Sequence, residues 1–458
     1  MVTTRRGNGV DVDPATALEA AKSPRAVKSP KAAKSPKLAT SPHGEKQQRK
    51  QNPSDLVLKH VLVLFRHGDR SPITTQVGQH LVMDAAEKEL WASKLPSDEH
   101  IEKLSKGAKV TGMEPHLPPP KAPRDGGTFP NGQLTVRGLQ QMEAKGEGLR
   151  AHYSDFLADI HEKDVYIRST NVRRTIRSCL ALLHGCFPEL VGNDRLHIRI
   201  NTDVTLEPSF TQADYGRLLA RYKDPSHVAT ATLPPLPDTI GCTQSLDKDI
   251  RKVIGIHDDQ PICYTSLREV LVCRHAHDVP FPSGMDRAMY NKLVDYNTWE
   301  FHALFGDAAD CYDGFQKGVA EIFHLLHAVT QGQHAPRASL MAVHDSTLIA
   351  LWNAMQLDVG IVFPTYAALT AIELYQHNTT KEWVVEVQVD HSPVHFRNHK
   401  HAIRAPFAHV EAIVHAFLKK EKATKKRSVE EDGDVEKEGA EGAAVKKAKV
   451  ADQGSQNE

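Results

Sequence analysis

Three short polar clusters in this 458-residue chain are built from residue types that together can handle an anion. The first is Arg66-His67-Gly68-Asp69-Arg70; the second is Arg168-Ser169-Thr170 with Arg174 just beyond; the third is His344-Asp345. A planar guanidinium donates paired, charge-assisted hydrogen bonds to phosphate oxygens, so Arg66, Arg70 and Arg174, with the N–H groups of a helix start, suit a dianion. A neutral imidazole at His67 inside such a cradle can attack phosphorus and form a phosphohistidine, dividing one hard displacement into two easier ones. The arginines would stabilise charge on the equatorial oxygens, which is most of what a protein offers phosphoryl transfer. A departing alkoxide needs a proton. The Asp345 carboxyl is the candidate donor, next to His344, which can donate to the same phosphate.

Each cluster follows an apolar run. HVLVLFRHGDRSP (residues 60–72) carries five apolar residues, Val61 to Phe65, straight into its charges, the pattern of a strand buried on both faces. DVYIRST (164–170) and SLMAV (339–343) read as two further strands. In open α/β sheets ligands bind beyond the carboxyl ends of the strands, so neighbouring strands would bring the three clusters together. Helices are expected over Val136–Tyr153 with Thr135 as N-cap, over about Asn171–His184, Asp286–Phe305 and Gly318–Val329, and over the STLIALWNAM run after Asp345. The resulting expectation is an α/β fold, a mainly parallel sheet flanked by helices, with an inserted, mostly helical second lobe at about 193–332. Gly68 removes a side chain beside His67 and permits close backbone approach there.

Formal charge sums to zero over the chain, which excludes nothing about partners, but its distribution is uneven. Residues 1–50 hold eleven Lys and Arg against four Asp and Glu and no aromatic residue, so 1–51 is expected to be a disordered basic tail. Ser-Pro recurs in it at Ser23, Ser29, Ser35 and Ser41, three times within KSPR or KSPK, resembling linker-histone tails that touch nucleic acid. A plain solubilising tail accounts for the same composition. A second charged tail, 419–458, contains KKEKATKKR and KKAKV, which resemble a nuclear localisation signal, leaving 52–418 as the folded part. The first thirty residues lack an apolar h-region and no run of about eighteen apolar residues occurs. Six scattered cysteines form no C-x-x-C pair, which fits free thiols. An intracellular protein, cytoplasmic or nuclear, without a membrane span is expected.

RHGDRSP, YIRSTNVRRT and VHDST, in this order, together with GQLTVRG (Gly132 to Gly138), resemble the motifs of the histidine acid phosphatases. That branch of the histidine phosphatase superfamily includes prostatic-type acid phosphatase, lysophosphatidic acid phosphatase and phytases. The resemblance spans about residues 56–378. It implies that His67 is the nucleophile, that Arg66, Arg70, Arg174 and His344 clamp the phosphate, that Asp345 is the proton donor, and that neither metal nor cofactor is needed. Arg168 is left between holding its loop and touching substrate.

The chain departs from prostatic-type members at Asn171 and Arg173, where those carry acidic residues, and in an apparent insertion from Ile73 to Asn131. Arg173 would either favour substrates with extra negative charge or face water. The insertion would either roof the pocket or form a surface loop. His275 and His277 alternate in RHAHD, which on a strand would place both imidazoles on one face, but without a fourth ligand no metal is assigned. The expected function is hydrolysis of a phosphate monoester, whether lipid, sugar, inositol phosphate or phosphoprotein. A phosphate-binding scaffold with nucleic-acid-contacting tails and a phosphotransferase or phosphomutase are the alternatives.

Overall fold

The computed structural model describes residues 55–192, 195–208, 243–305, 315–333, 335–397, 399 and 403–418. Both expected tails lie outside them, as does part of the 193–332 region. Eleven strands are described: β1 (Leu56–Arg66), β2 (Gln76–Val77), β3 (Leu81–Val82), β4 (Lys109–Thr111), β5 (Val165–Ser169), β6 (His197–Ile200), β7 (Ala338–Val343), β8 (Leu369–His377), β9 (Trp383–Val389), β10 (Ser392–Val394) and β11 (Arg404–Pro406). All but the β2–β3 hairpin share one sheet, in the order β10-β9-β8-β1-β7-β5-β6-β4 with β11 also on β9. From β1 to β4 the pairs are parallel, and from β1 to β10 they are antiparallel. The parallel half contains the three expected strands as neighbours, and β6, which sequence reading did not single out, extends it.

β1 is buried on both faces because its side chains alternate between two cores. Leu62 and Leu64 join Met341 and Val343 of β7 on one side, while Val61, Val63 and Phe65 join Leu340 and Ala342 on the other. Each such fully buried side chain contributes roughly 1.5–3 kcal/mol relative to exposure, which fixes the register of the central strands. The second core is closed by helices Val136–His152 and Arg173–Cys186. Thr135 caps the first of these, its Oγ1 accepting from the Gly138 N–H at 3.0 Å. The first core is closed by Gln316–Thr330, Asp345–Ala354 and a helix over 407–418. Helices Thr243–Ile254, Tyr264–Ala276 and Arg287–Leu304 build a third core, which also takes in Val77 and Leu81 of the hairpin.

The 73–131 segment is integrated into the fold. It contributes β2 to β4 and helices Ala85–Lys94 and Asp98–Ser105, and its Trp91 is fully buried against Met83 and Cys273. Among the described residues no helix is long and apolar enough to cross a membrane. The four described cysteines, Cys179, Cys186, Cys263 and Cys273, are free; Cys242 and Cys311 lie outside the described residues.

Candidate active site

Parallel register brings the three polar clusters together. Arg66 pairs with Val343 and Ser169 with Ala342, so the chain leaves β1, β7 and β5 at one level of the sheet. His344 stands in the middle. Its ring meets His67 edge-on with centroids 5.6 Å apart, and its Nε2 lies 3.0 Å from Thr170 Oγ1. Arg66, His67, Arg70, Arg174, His344 and Asp345 all line one cavity of about 210 Å³.

His67 is 2% exposed, and its Nδ1 lies 2.8 Å from the carbonyl oxygen of Gly68. A carbonyl can only accept, so Nδ1 carries the proton and Nε2 keeps its lone pair, with no hydrogen-bond partner among the described residues. Burial holds the imidazole well below its ordinary pKa, and the charges of Arg174, Arg66 and Arg70 press in the same direction. Close backbone packing supports this loop: a Cβ on Gly68 would fall 2.3 Å from the Gly138 carbonyl oxygen. The first histidine motif and the GQLTVRG segment therefore need their glycines for each other.

The arginines divide by partner. Arg66 Nη2 pairs with Asp345 Oδ2 at 2.7 Å and Nη1 donates to the Pro364 carbonyl at 2.7 Å. Arg70 forms an ion pair with Glu269, a residue sequence reading did not reach, whose carboxylate also accepts from the Ile73 N–H at 2.6 Å. Arg174 is different. Among the described residues its Nε and Nη1 are buried without a hydrogen bond, and Nη2 reaches His344 Nδ1 at 3.5 Å. Burial pulls this guanidinium down to about 10, and Arg70 adds to that. An unpaired cation at the start of a helix, next to a neutral imidazole, is a site prepared for an anion.

Asp345 opens helix Asp345–Ala354, with Oδ1 accepting from the Ser346 N–H at 2.8 Å. Burial pushes its carboxyl up, but Arg66, His344 and Arg268 outweigh that and hold it below the ordinary carboxylate value. Glu207, also unanticipated, touches His344 Nε2 at 2.9 Å and Arg124 Nη2 at 2.6 Å. Burial raises it, yet His344 and Arg124 hold it at about 2. His344 itself is lowered by burial, with Glu207 opposing.

Several sequence expectations resolve into structural roles. Arg168, 1% exposed, is absorbed by Glu321 through Nε at 2.6 Å and Nη2 at 3.0 Å and by the Val204 carbonyl at 2.7 Å, so it holds the loop that delivers Glu207. Arg173 pairs with Asp125, and Asn171 Nδ2 donates to the Lys121 and Ala122 carbonyls at 3.1 and 3.3 Å. Both departures thus anchor the 73–131 segment beside the cavity. Gly126 of that segment (φ +77°) lies so close that a Cβ there would fall 2.1 Å from Arg174 Nη1.

RHAHD does not lie on a strand. Arg274 to Ala276 end a helix, His275 contacts Arg287, and His277 Nε2 donates to the buried Asp69 Oδ2 at 2.6 Å. The two imidazoles diverge because a helix does not share the period of a strand. Asp69 also accepts from Thr135 Oγ1 at 2.6 Å, tying the helical region to the His67 loop. Among the described residues no cluster of three or more His, Cys, Asp or Glu side chains has metal-holding geometry.

The fold is that of known phytases. It matches the Citrobacter braakii phytase with a TM-score of 0.52 at 14% identity, over 79% of this chain and 98% of that one. The Hafnia alvei phytase in complex with myo-inositol hexakis sulphate matches with a TM-score of 0.51 at 13% identity, over 80% and 98%. A family profile described as histidine phosphatase superfamily (branch 2) matches residues 57–225. The chain is 27% identical over 366 residues to lysophosphatidic acid phosphatase type 6 of Mus musculus, covering 74% of this chain and 80% of that one. It is 26% identical over 366 residues to the lysosomal acid phosphatase of Bos taurus, covering 76% and 72%. Residues 57–225 thus carry the features of the second branch of the histidine phosphatase superfamily, and over about three quarters of its length the chain is similar to acid phosphatases, which makes it a hydrolase of the acid phosphatase kind.

Proposed function

We propose that this protein hydrolyses a phosphate monoester through a phosphohistidine on His67, with Asp345 as proton donor. One observation carries the reading: His67 Nδ1 is committed to the Gly68 carbonyl at 2.8 Å, which leaves the Nε2 lone pair free beside the unpaired guanidinium of Arg174. A phosphate dianion takes its negative charge to Arg174, Arg66 and Arg70, with His344 as a further donor. As the dianion draws Arg66 away and adds negative charge, the Asp345 carboxyl rises in pKa and takes up a proton. Nε2 then forms a bond to phosphorus while the ester P–O bond breaks, and the leaving oxygen receives the Asp345 proton. In the second step water attacks phosphorus, Asp345 accepts its proton, the P–N bond breaks and inorganic phosphate leaves.

Two in-line displacements invert phosphorus twice, so a chiral phosphate monoester is transferred to an acceptor alcohol with net retention. Rapid quenching during turnover of a phosphorus-32-labelled aryl phosphate yields base-stable, acid-labile label on His67. Net inversion, or label on another residue, overturns the mechanism. The names of its relatives make lysophosphatidate one candidate substrate.

A further inference from the structure

A fourth arginine enters the same cavity from the helical side. Arg268, on helix Tyr264–Ala276, is 9% exposed and lines the cavity with Arg66 and Asp345. Its Nε is buried without a hydrogen bond, and no described carboxylate forms an ion pair with it. Its guanidinium carbon stands 3.4 Å from the centroid of Phe363, and that of Arg66 faces the same ring at 5.5 Å. The aromatic face supplies a modest cation–π attraction but satisfies no N–H group. Burial draws this guanidinium down to about 10, with Arg66 adding to it.

The neighbouring cations are already assigned. Arg70 has Glu269, Arg66 has Asp345, and Arg174 lies on the β5 side against His344. Glu269 follows Arg268 directly in sequence, yet its carboxylate is turned to Arg70 and the Ile73 N–H. A buried guanidinium N–H rarely goes without an acceptor, and the one that Arg268 Nε lacks among the described residues is one a ligand in the cavity can supply.

We propose that Arg268 is a second anion subsite, and that the preferred substrate is a phosphate monoester whose leaving group carries another negative group, a carboxylate or a second phosphate. The inference rests on the phosphatase reading for its placement of the first phosphate beside His67. It also links substrate charge to proton donation. Asp345 faces Arg66 and Arg70 from the β1 end, Arg174 and His344 from the β5 and β7 ends, and Arg268 from the helical side. An anion on Arg268 neutralises one of the charges that keep Asp345 ionised, so an anionic leaving group prepares its own proton donor.

The test uses non-hydrolysable ligands first. Binding of 3- and 4-phosphonobenzoate is compared by calorimetry with the isosteric phosphonobenzamides, which lack only the second charge. The wild-type protein prefers at least one acid over its amide by tenfold or more. Arg268→Met removes at least most of that preference, and Arg268→Lys retains part of it; the acid-to-amide ratio, not absolute affinity, is the readout. Turnover of the matching carboxyphenyl and carbamoylphenyl phosphates follows the same ratio. In Arg268→Met the basic limb of kcat for the carbamoyl ester moves to higher pH, because one cation opposing protonation of Asp345 is gone. Equal affinity for acids and amides in the wild type, or an unchanged ratio in Arg268→Met, overturns the subsite. Preferential acid binding with no turnover of any ester leaves the subsite standing and overturns the phosphatase reading instead.

Discussion

His60 and His67 belong to the same stretch of chain, and they solve the same physical problem. Both are buried, and both commit Nδ1 to a carbonyl oxygen, Pro336 for His60 at 2.7 Å and Gly68 for His67 at 2.8 Å. Burial lowers both, His60 to about 4 against the opposing Pro336 hydrogen bond and His67 well below its ordinary value. A depressed pKa and a free nitrogen therefore do not distinguish a nucleophile from a packed histidine. What differs is the end of the sheet. Nε2 of His60 is sealed and unpartnered within the protein, whereas His67, beyond the carboxyl end of β1, lines a cavity ringed by arginines. The two imidazoles differ in what lies in front of the ring: His67 opens on the cavity and His60 does not.

The largest effect that tests this contrast is on turnover. His67→Ala is expected to lower kcat by about a thousandfold or more, a loss of roughly 4 kcal/mol in transition-state stabilisation, while His60→Leu stays within about threefold. Comparable losses in both variants, measured as phosphate release, would erase the distinction. A smaller effect is expected at the proton donor. Asp345→Asn should cost about a hundredfold or more on an alkyl phosphate and distinctly less on nitrophenyl phosphate, whose leaving group needs no proton. Equal losses on the two esters would remove Asp345 from that role.

The smallest effect concerns stability. Because His60 titrates near 4 when folded and near 6.5 when unfolded, the unfolded chain binds the proton first as pH falls. Stability from keeping this ring neutral is complete above about pH 6.5 and is lost as pH falls toward 4, by about 3 kcal/mol at most. His60→Leu should flatten the pH dependence of the urea midpoint across that window. An identical slope in wild type and His60→Leu would show that burial of His60 carries no such penalty.

Much of this arrangement was legible along the chain. Runs such as Val61–Phe65 and SLMAV announce buried strands because apolar residues on both faces have no other home, and charges at their ends mark where the strands stop. Thr135 as a cap was legible for the same local reason: a short hydroxyl ahead of a helix satisfies a free N–H. Arg268, Glu269 and Glu207 were not. Arg268 and Glu269 sit mid-helix, and Glu207 lies in a loop; none carries a strand-end position that would assign it to the cavity. Arg168 was legible only as a choice between holding its loop and touching substrate, and Glu321, far along the chain, decides for the loop by accepting from its Nε and Nη2.

By itself the amino-acid sequence determined that β1, β5 and β7 form strands, that helices follow Thr135 and Asp345, and that three polar clusters sit where strands end, because these follow from local hydrophobic period and capping. Tertiary structure alone decided which charges pair. Arg70 takes Glu269 and Arg66 takes Asp345, while Arg174 and Arg268 form no ion pair among the described residues, because ion pairing is set by distances of a few ångströms between segments up to hundreds of residues apart. Sequence spacing carries no record of those distances, which only the packing of the segments supplies.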